Sequence, residues 1–453
     1  MTTDNNRANR KYEASAIISI PFQFEIKKST GTKPSSQNDN WKPISTDEMS
    51  KDLGLLPHVS ELLLNNTGKS FRGNDIEVYA LNGKIKQEVP YFCGDNVIFK
   101  DDNVDIVFKF ALSSNGEKSV DGKGLFWAEP KLVIYPLSQI GILTMPVYHY
   151  DTSMENMYKF FNKISASLAY PWQFNYKDKC LSMCEIFTSL TKGIDGIKPL
   201  CNKSLVSFIY AFNSDLDGGD EVDFKHCSEK LAYTDDRKGF VTDDEETSFV
   251  HLLASNQLYS SAGPFGASFV TSKNNSNNIT NLDKYFWIYL ILIVQRYSLI
   301  NMLCKLNTIF GEIASNKFKD DKYFSKLQEK YQEMCEIKAG LYYTEISDQY
   351  HNMRLYHKFF EGFNISMLYK EVEEKLEALD KFVSIEKDRR NRFTQALITA
   401  LLLVLTITSA LNDFFDMIED SFKMIPSIIS LSIVICVIVV FWPKIKEILY
   451  NDK

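Results

Sequence analysis

Hydrophobic and polar positions follow three different rhythms along this chain. Up to about residue 272 the apolar positions alternate in short runs. Phe22, Phe24 and Ile26 stand among polar neighbours, as do Ile76, Val78 and Ala80. A period of two predicts half-buried strands. Further strands are predicted at Val104 to Phe110, Leu125 to Tyr135, Ile142 to Tyr148, Leu205 to Phe212, and Ser248 to Leu258 with Ala267 to Thr271. Helices are predicted at Ser153 to Leu168 and Lys179 to Leu190, with long polar loops at 29–39, 113–123 and 215–247. Lys273 to Thr280, KNNSNNIT, is polar throughout and reads as a linker.

The second rhythm is helical. Leu282 to Phe310 and Lys322 to Phe360 are predicted helices. The run Tyr285 to Val294, YFWIYLILIV, is strongly apolar but short, and Gln295 and Arg296 follow it. It reads as a core helix or a helix–helix interface, because a span needs about 20 apolar residues. Glu361-Gly362-Phe363-Asn364 predicts a break. Beyond it Leu368, Val372, Leu376, Leu379 and Val383 recur at steps of four, four, three and four, a seam for packing helices. No Gly or Pro interrupts Met367 to Leu411. One continuous helix is therefore expected, with a kink near Lys387 as the alternative.

The third rhythm is uniform apolarity. Phe393 to Leu411 and Met424 to Trp442 are each 19 residues without a charge. Both read as transmembrane spans rather than buried core helices. Lys387, Arg389, Arg390 and Arg392 precede the first, and Lys444, Lys446 and Lys453 follow the second. The connection 412–423 carries Asp413, Asp416, Glu419 and Asp420 against one Lys423. By the positive-inside rule both termini are cytoplasmic and the acidic loop faces outward, across a cell inner membrane. On a helical wheel Gln395, Thr399, Leu402, Thr406, Ser409, Asp413 and Asp416 fall within about 100° of one another. This polar stripe, together with Asn412, reads as pore-lining. The alternative is hydroxyls bonding back to their own helix. Two spans per chain cannot enclose a water path, so a channel implies a homo-oligomer in a lipid bilayer.

These rhythms divide the chain as follows. Residues 1–272 form a cytosolic mixed α/β sensor domain and 281–366 a helical segment. Residues 367–392 form a stalk helix, 393–411 and 424–442 the two spans, and 443–453 a basic tail. The fold class expected is an α/β domain followed by long helices and a two-helix transmembrane region. The length of 453 residues allows two to four domains at roughly 100–200 residues each.

Chemistry narrows the function. A net charge of −7 argues against direct nucleic-acid binding. The N-terminal residues carry no apolar run of a signal peptide. The eight cysteines are scattered and form no C-x-x-C pair, which fits thiols in a reducing cytosol. There is no P-loop, no G-x-S-x-G and no H-E-x-x-H, so a non-enzymatic protein is expected. Asp215 to Asp223 is acidic but out of the EF-hand register, and reads as a solvated loop. Ser261-Ala-Gly263-Pro-Phe-Gly266 reads as a turn between strands.

The stalk LYKEVEEKLEALDKFVSIEKDRRNRF, the span end LTITSALND and the closing WPKIKEILY, in that order, resemble the CorA-type magnesium channel family. The resemblance covers about residues 281–453. It implies a homopentamer whose first span lines the pore, with a Gly-Met-Asn motif beyond it for selectivity. Leu411-Asn412-Asp413 stands in that place, and only Asn412 matches. This departure and the large N-terminal domain resemble a divergent subgroup, the CorA-like membrane effectors that accompany type III CRISPR systems. The resemblance implies opening by a nucleotide second messenger, an adduct of S-adenosylmethionine and AMP, with no covalent cofactor. Trp127 and Arg296 are the candidate ligand-binding residues. The alternative is a divalent-cation (Mg²⁺) transporter of altered selectivity. A third is a membrane-anchored sensor that does not conduct.

Overall fold

The structure is a computed structural model. It describes residues 11–24, 41–43, 54–56, 77–81, 97–101, 104–108, 110–111, 131–153, 173–176, 179–192, 194, 196–200, 206–213, 227–232, 258–264, 266–272, 282–315, 321–341, 343, 345–416 and 432. They fall into two compact units. One comprises Met1–Lys305 with Glu336–Val372, the other Leu306–Cys335 with Glu373–Lys453.

The first unit is built on a ten-stranded sheet. Its central strand is β1 (Lys11–Gln23), flanked by β8 (Ile140–Ser153) and β12 (Val206–Asn213), both antiparallel to it. Beyond β8 come β7 (Lys131–Tyr135), β3 (Glu77–Leu81) and β2 (Trp41–Pro43). Beyond β12 come β14 (Gly266–Ser272), parallel to it, and β13 (Leu258–Gly263) at the edge. β6 (Phe110–Ala111) pairs with β8, and β11 (Lys198–Pro199) with β1. A second sheet, in the order β10-β9-β4-β5, joins Lys179–Ser182, Gln173–Tyr176, Val97–Asp101 and Val104–Phe108.

β1 is covered on both faces. Phe22 meets Phe187 of α1 (Met183–Leu190) edge to face at 5.6 Å. The alternate position Ser19 hydrogen-bonds Tyr289 of α2 (Leu282–Ala314) at 3.0 Å. Burial on both faces explains why AIISIPF is nearly all apolar rather than alternating. Gly141 lies opposite Phe22 in the ladder, where a Cβ would stand 2.1 Å from the ring.

Helix α2 carries the apolar run Tyr285 to Val294, every residue of which is buried. Phe269 of β14 stacks on Tyr285 at 5.2 Å and meets Phe359 edge to face at 5.7 Å. Phe359 belongs to α4 (Tyr350–Gly362), which follows α3 (Asp321–Leu341). The contact is so close that a Cβ on Gly362 would stand 2.6 Å from the Ala262 carbonyl. α2 is long and apolar enough to cross a membrane, but its burial identifies it as a core helix.

Several expectations change. Lys179 to Leu190 is not one helix, because its first four residues form strand β10. The polar stretch 215–247 contains a helical turn at 227–232, with Cys227, Ser228, Leu231 and Ala232 buried. Ser268 donates from Oγ to the Ser228 carbonyl there, and the Ser228 and Ser261 hydroxyls share a bond. Lys322 to Phe360 is two helices. Between them the Met353 sulfur accepts the Ile346 amide at 3.2 Å, and the Ser347 hydroxyl accepts the Gln349 amide at 3.1 Å. These local bonds take up backbone donors that a continuous helix would use. Residues 54–56 pair with this break: Leu56 donates to the Ile346 carbonyl, and Asp348 donates to that of Gly54. The expected break at 361–364 is present, with Asn364 left-handed at φ 55°. Helix α5 then runs unbroken from Ile365 to Asp416, 52 residues or about 78 Å at 1.5 Å per residue. The predicted helix Ser153 to Leu168, apart from Ser153 itself at the end of β8, lies outside the described residues. The span Met424 to Trp442 does too, apart from Ser432.

Candidate functional site

The second unit holds the part of α5 that carries its long apolar run. Its seam is buried at Leu376, Leu379 and Val383. Phe324, Leu327 and Met334 of α3 and Leu306 and Ile309 of α2 are buried in the same unit. Polar contacts fix the alignment. Lys375 donates from Nζ to Asn307 Oδ1 at 2.9 Å, and Lys330 pairs with Glu312 at 3.7 Å. The Arg390 guanidinium lies 4.4 Å over the Phe324 ring. Tyr331 lies near Asp380. Burial first, then Cys335 and Asp380, push its hydroxyl above the usual tyrosine range. The pairs 331–380 and 324–390 make α3 antiparallel to α5.

The opposite face of α5 is exposed from Glu374 to Ser409. Glu374, Glu377, Lys381, Ser384, Asp388 and Asn391 are exposed, and so are Gln395, Thr399, Leu402, Thr406 and Ser409. At 100° per residue all eleven fall within about 100°. They follow steps of three and four throughout. The buried seam lies roughly opposite. The stripe expected in the span is thus the upper half of one polar face that begins in the charged stalk. Asn412, Asp413 and Asp416 follow on the same helix backbone; their side chains lie outside the described residues.

From Phe393 the remaining faces turn apolar while staying exposed. Ile398, Leu403, Leu405 and Ile407 each expose about half of their surface. α5 is long and apolar enough to cross a membrane, and none of its apolar window is buried. Water does not favour such a surface, and a hydrocarbon phase does. Within this apolar stretch Thr406 donates to the Leu402 carbonyl at 2.8 Å, and Thr408 donates to that of Val404. Their hydroxyls therefore satisfy their own helix and still present an acceptor outward.

Of the two candidate ligand residues, Trp127 lies outside the described residues. Arg296 sits on α2 in the first unit, half-buried. It donates to the Pro264 carbonyl in the β13–β14 turn and lies 5.9 Å from the Phe363 ring centre. It holds that turn to the helices.

Sequence reading passed over a second polar constellation. Ser298, Asn301 and Lys305 line one face of α2. Ser298 donates to Ser138 Oγ at 2.9 Å, Asn301 to the Ser138 carbonyl at 2.7 Å, and Lys305 to Gln139 Oε1 at 3.2 Å. Gln23 in turn donates to Asn301. The polar spacing of three and four on an apolar helix was the available signal. Among the described residues, no three or more His, Cys, Asp or Glu side chains are grouped so as to hold a metal ion.

Compared with protein-family models, curated proteins and solved structures, the chain matches none.

Proposed function

We propose that this chain is a subunit of a ligand-gated, CorA-like membrane channel that works as a homo-oligomer in the cell inner membrane. The continuous exposed polar face of α5, from Glu374 to Ser409, carries the reading. A single span facing lipid on all sides has no use for polar positions in register with a charged stalk. Copies of α5 around an axis would turn that face inward and give water a lining of hydroxyl, amide and carboxylate groups. The apolar remainder would meet lipid and the second span. Asp413 and Asp416, in the same phase, would ring the outer mouth with negative charge and concentrate cations.

A channel open at rest would dissipate its host's gradients, so the closed state must be the ground state. A stimulus opens it only by binding the open form more tightly. We assign that stimulus to the sheet-bearing cytosolic unit. From the resemblance and the departure at Leu411-Asn412-Asp413 we infer a nucleotide second messenger of the S-adenosylmethionine–AMP type, acting in type III CRISPR antiviral defence. Both termini would then be cytoplasmic.

The test is cation flux from liposomes holding the full chain. The expected outcome is negligible flux alone and flux on adding the adduct. Asp413→Asn with Asp416→Asn should lower that flux severalfold, more at low ionic strength. A chain that remains monomeric in detergent refutes the channel. Flux set by Mg²⁺ and indifferent to the adduct replaces the effector with a transporter.

A further inference from the structure

Resting on the membrane reading of α5, we propose that its basic collar, Lys387, Arg389 and Arg392, is a binding surface for anionic phospholipid headgroups. The collar ends one residue before Phe393, where the exposed apolar surface begins, so it lies at the depth of the headgroups. All three side chains are exposed on a helix that is regular on either side. They point in three directions around the axis, at about 60° to 160° from one another at 100° per residue.

The fourth basic residue behaves differently. Arg390 is half-buried, stacked on Phe324 and hydrogen-bonded from Nε to Glu386 at 3.3 Å. It anchors α3 to the collar instead of facing outward. Glu386 also takes Arg389 at 2.7 Å, but with one carboxylate between two guanidiniums the positive charge is only part-neutralised. Asp388 is exposed and removes one further charge. The collar stays net positive, and each additional copy in an oligomer would repeat it. The occupants this fits are anionic diacyl lipids, one with its phosphate at Arg389 and its tails along Phe393, another with its phosphate at Lys387 and its tails along Ile398, each pair sharing a side of the helix.

The experiment titrates acyl-labelled phosphatidylglycerol and phosphatidylcholine into the full chain in neutral detergent. A net charge of about two, at about 1 kcal/mol per charge, predicts a preference for phosphatidylglycerol on the order of 30-fold at low salt. It should shrink severalfold at high salt. Lys387→Gln with Arg389→Gln and Arg392→Gln should bring the two lipids near parity. Arg389→Lys with Arg392→Lys should keep the preference, since a headgroup in water asks for charge more than for fork geometry. Equal binding of both lipids, or a preference that survives the triple glutamine variant, overturns the proposal. Extraction of membranes with alkaline carbonate separates the two levels. A chain that is released by it defeats the membrane reading itself. A chain that stays integrated but is indifferent to headgroup defeats the collar alone.

Discussion

Replacing Gly141 by Ala places a methyl group inside the aromatic core of the sheet. Gly141 sits on β8 directly opposite Phe22 of β1. The new Cβ would lie 2.1, 2.4 and 2.7 Å from three atoms of the Phe22 ring. Carbon atoms rest at about 3.5–4.0 Å, so the ring would have to withdraw by more than 1 Å. It has little room to do so. Phe22 is fully buried, with Phe187 at 5.6 Å and Phe24 at 6.5 Å. Overpacking of this kind costs about 1–3 kcal/mol, and the lack of slack argues for about 3. At about 2–4 °C per kcal/mol that lowers the midpoint of this unit by about 6–12 °C. Phe22→Leu alone shortens the side chain and costs about 1–2 kcal/mol. In the double variant the methyl occupies the vacated space, so the total should stay near 2 rather than 5 kcal/mol. The coupling is then about 2–3 kcal/mol of mutual relief. Thermal melts of the four proteins by tryptophan fluorescence read this unit, because Trp41 and Trp287 are both buried in it. Additive losses, or an unchanged midpoint for Gly141→Ala, would refute the reasoning.

The same unit should lose stability in alkali. Burial raises the hydroxyls of Tyr285, Tyr289 and Tyr343 above the ordinary tyrosine value of 10.0. Above about pH 10 the unfolded chain releases protons that the folded chain retains, so stability is full below that pH and falls as pH rises. The slope approaches about 1.4 kcal/mol per pH unit for each tyrosine, and midpoints at pH 9 and 11 measure it. In the stalk, Leu379→Ala empties a fully buried seam position and should cost about 2–5 kcal/mol. Glu377→Ala on the exposed face should change stability by less than about 0.5 kcal/mol. Protease protection of 373–390 compares the two, and equal sensitivity would mean that the buried seam and the polar face are misassigned.

The long elements were legible because their periods are long. α2, α5 and the strands β8, β12 and β14 each carry several repeats of their rhythm, whereas β1, covered on both faces, showed alternation only near its end, at Phe22 and Phe24. The ten-residue limit on YFWIYLILIV separated a core helix from a span, and its burial accords with that length argument. What escaped was short or non-local. The turn at 227–232 is too brief to show a period, and its polar residues look like loop until Ser261 and Ser268 supply partners. The helix break at 343–349 rests on a thioether accepting backbone amides, which no propensity encodes. In the candidate site the stripe from Gln395 to Ser409 followed from angular arithmetic alone. Its continuation down the stalk was equally available. The grip of Arg390 on Phe324 was not, because it joins residues 66 positions apart on helices whose pairing the sequence does not state.

The phase of α5 also limits how this protein can change length. Each residue added between Val383 and Gln395 turns everything beyond it by about 100° relative to the buried seam. In the channel proposed above, a single insertion would therefore carry Thr399 and Thr406 round toward the lipid and bring leucines to the axis. Seven residues return the helix to within about 20° of where it began. Natural variants of this segment should accordingly differ by sevens rather than by ones, each step lengthening α5 by about 10 Å at 1.5 Å per residue.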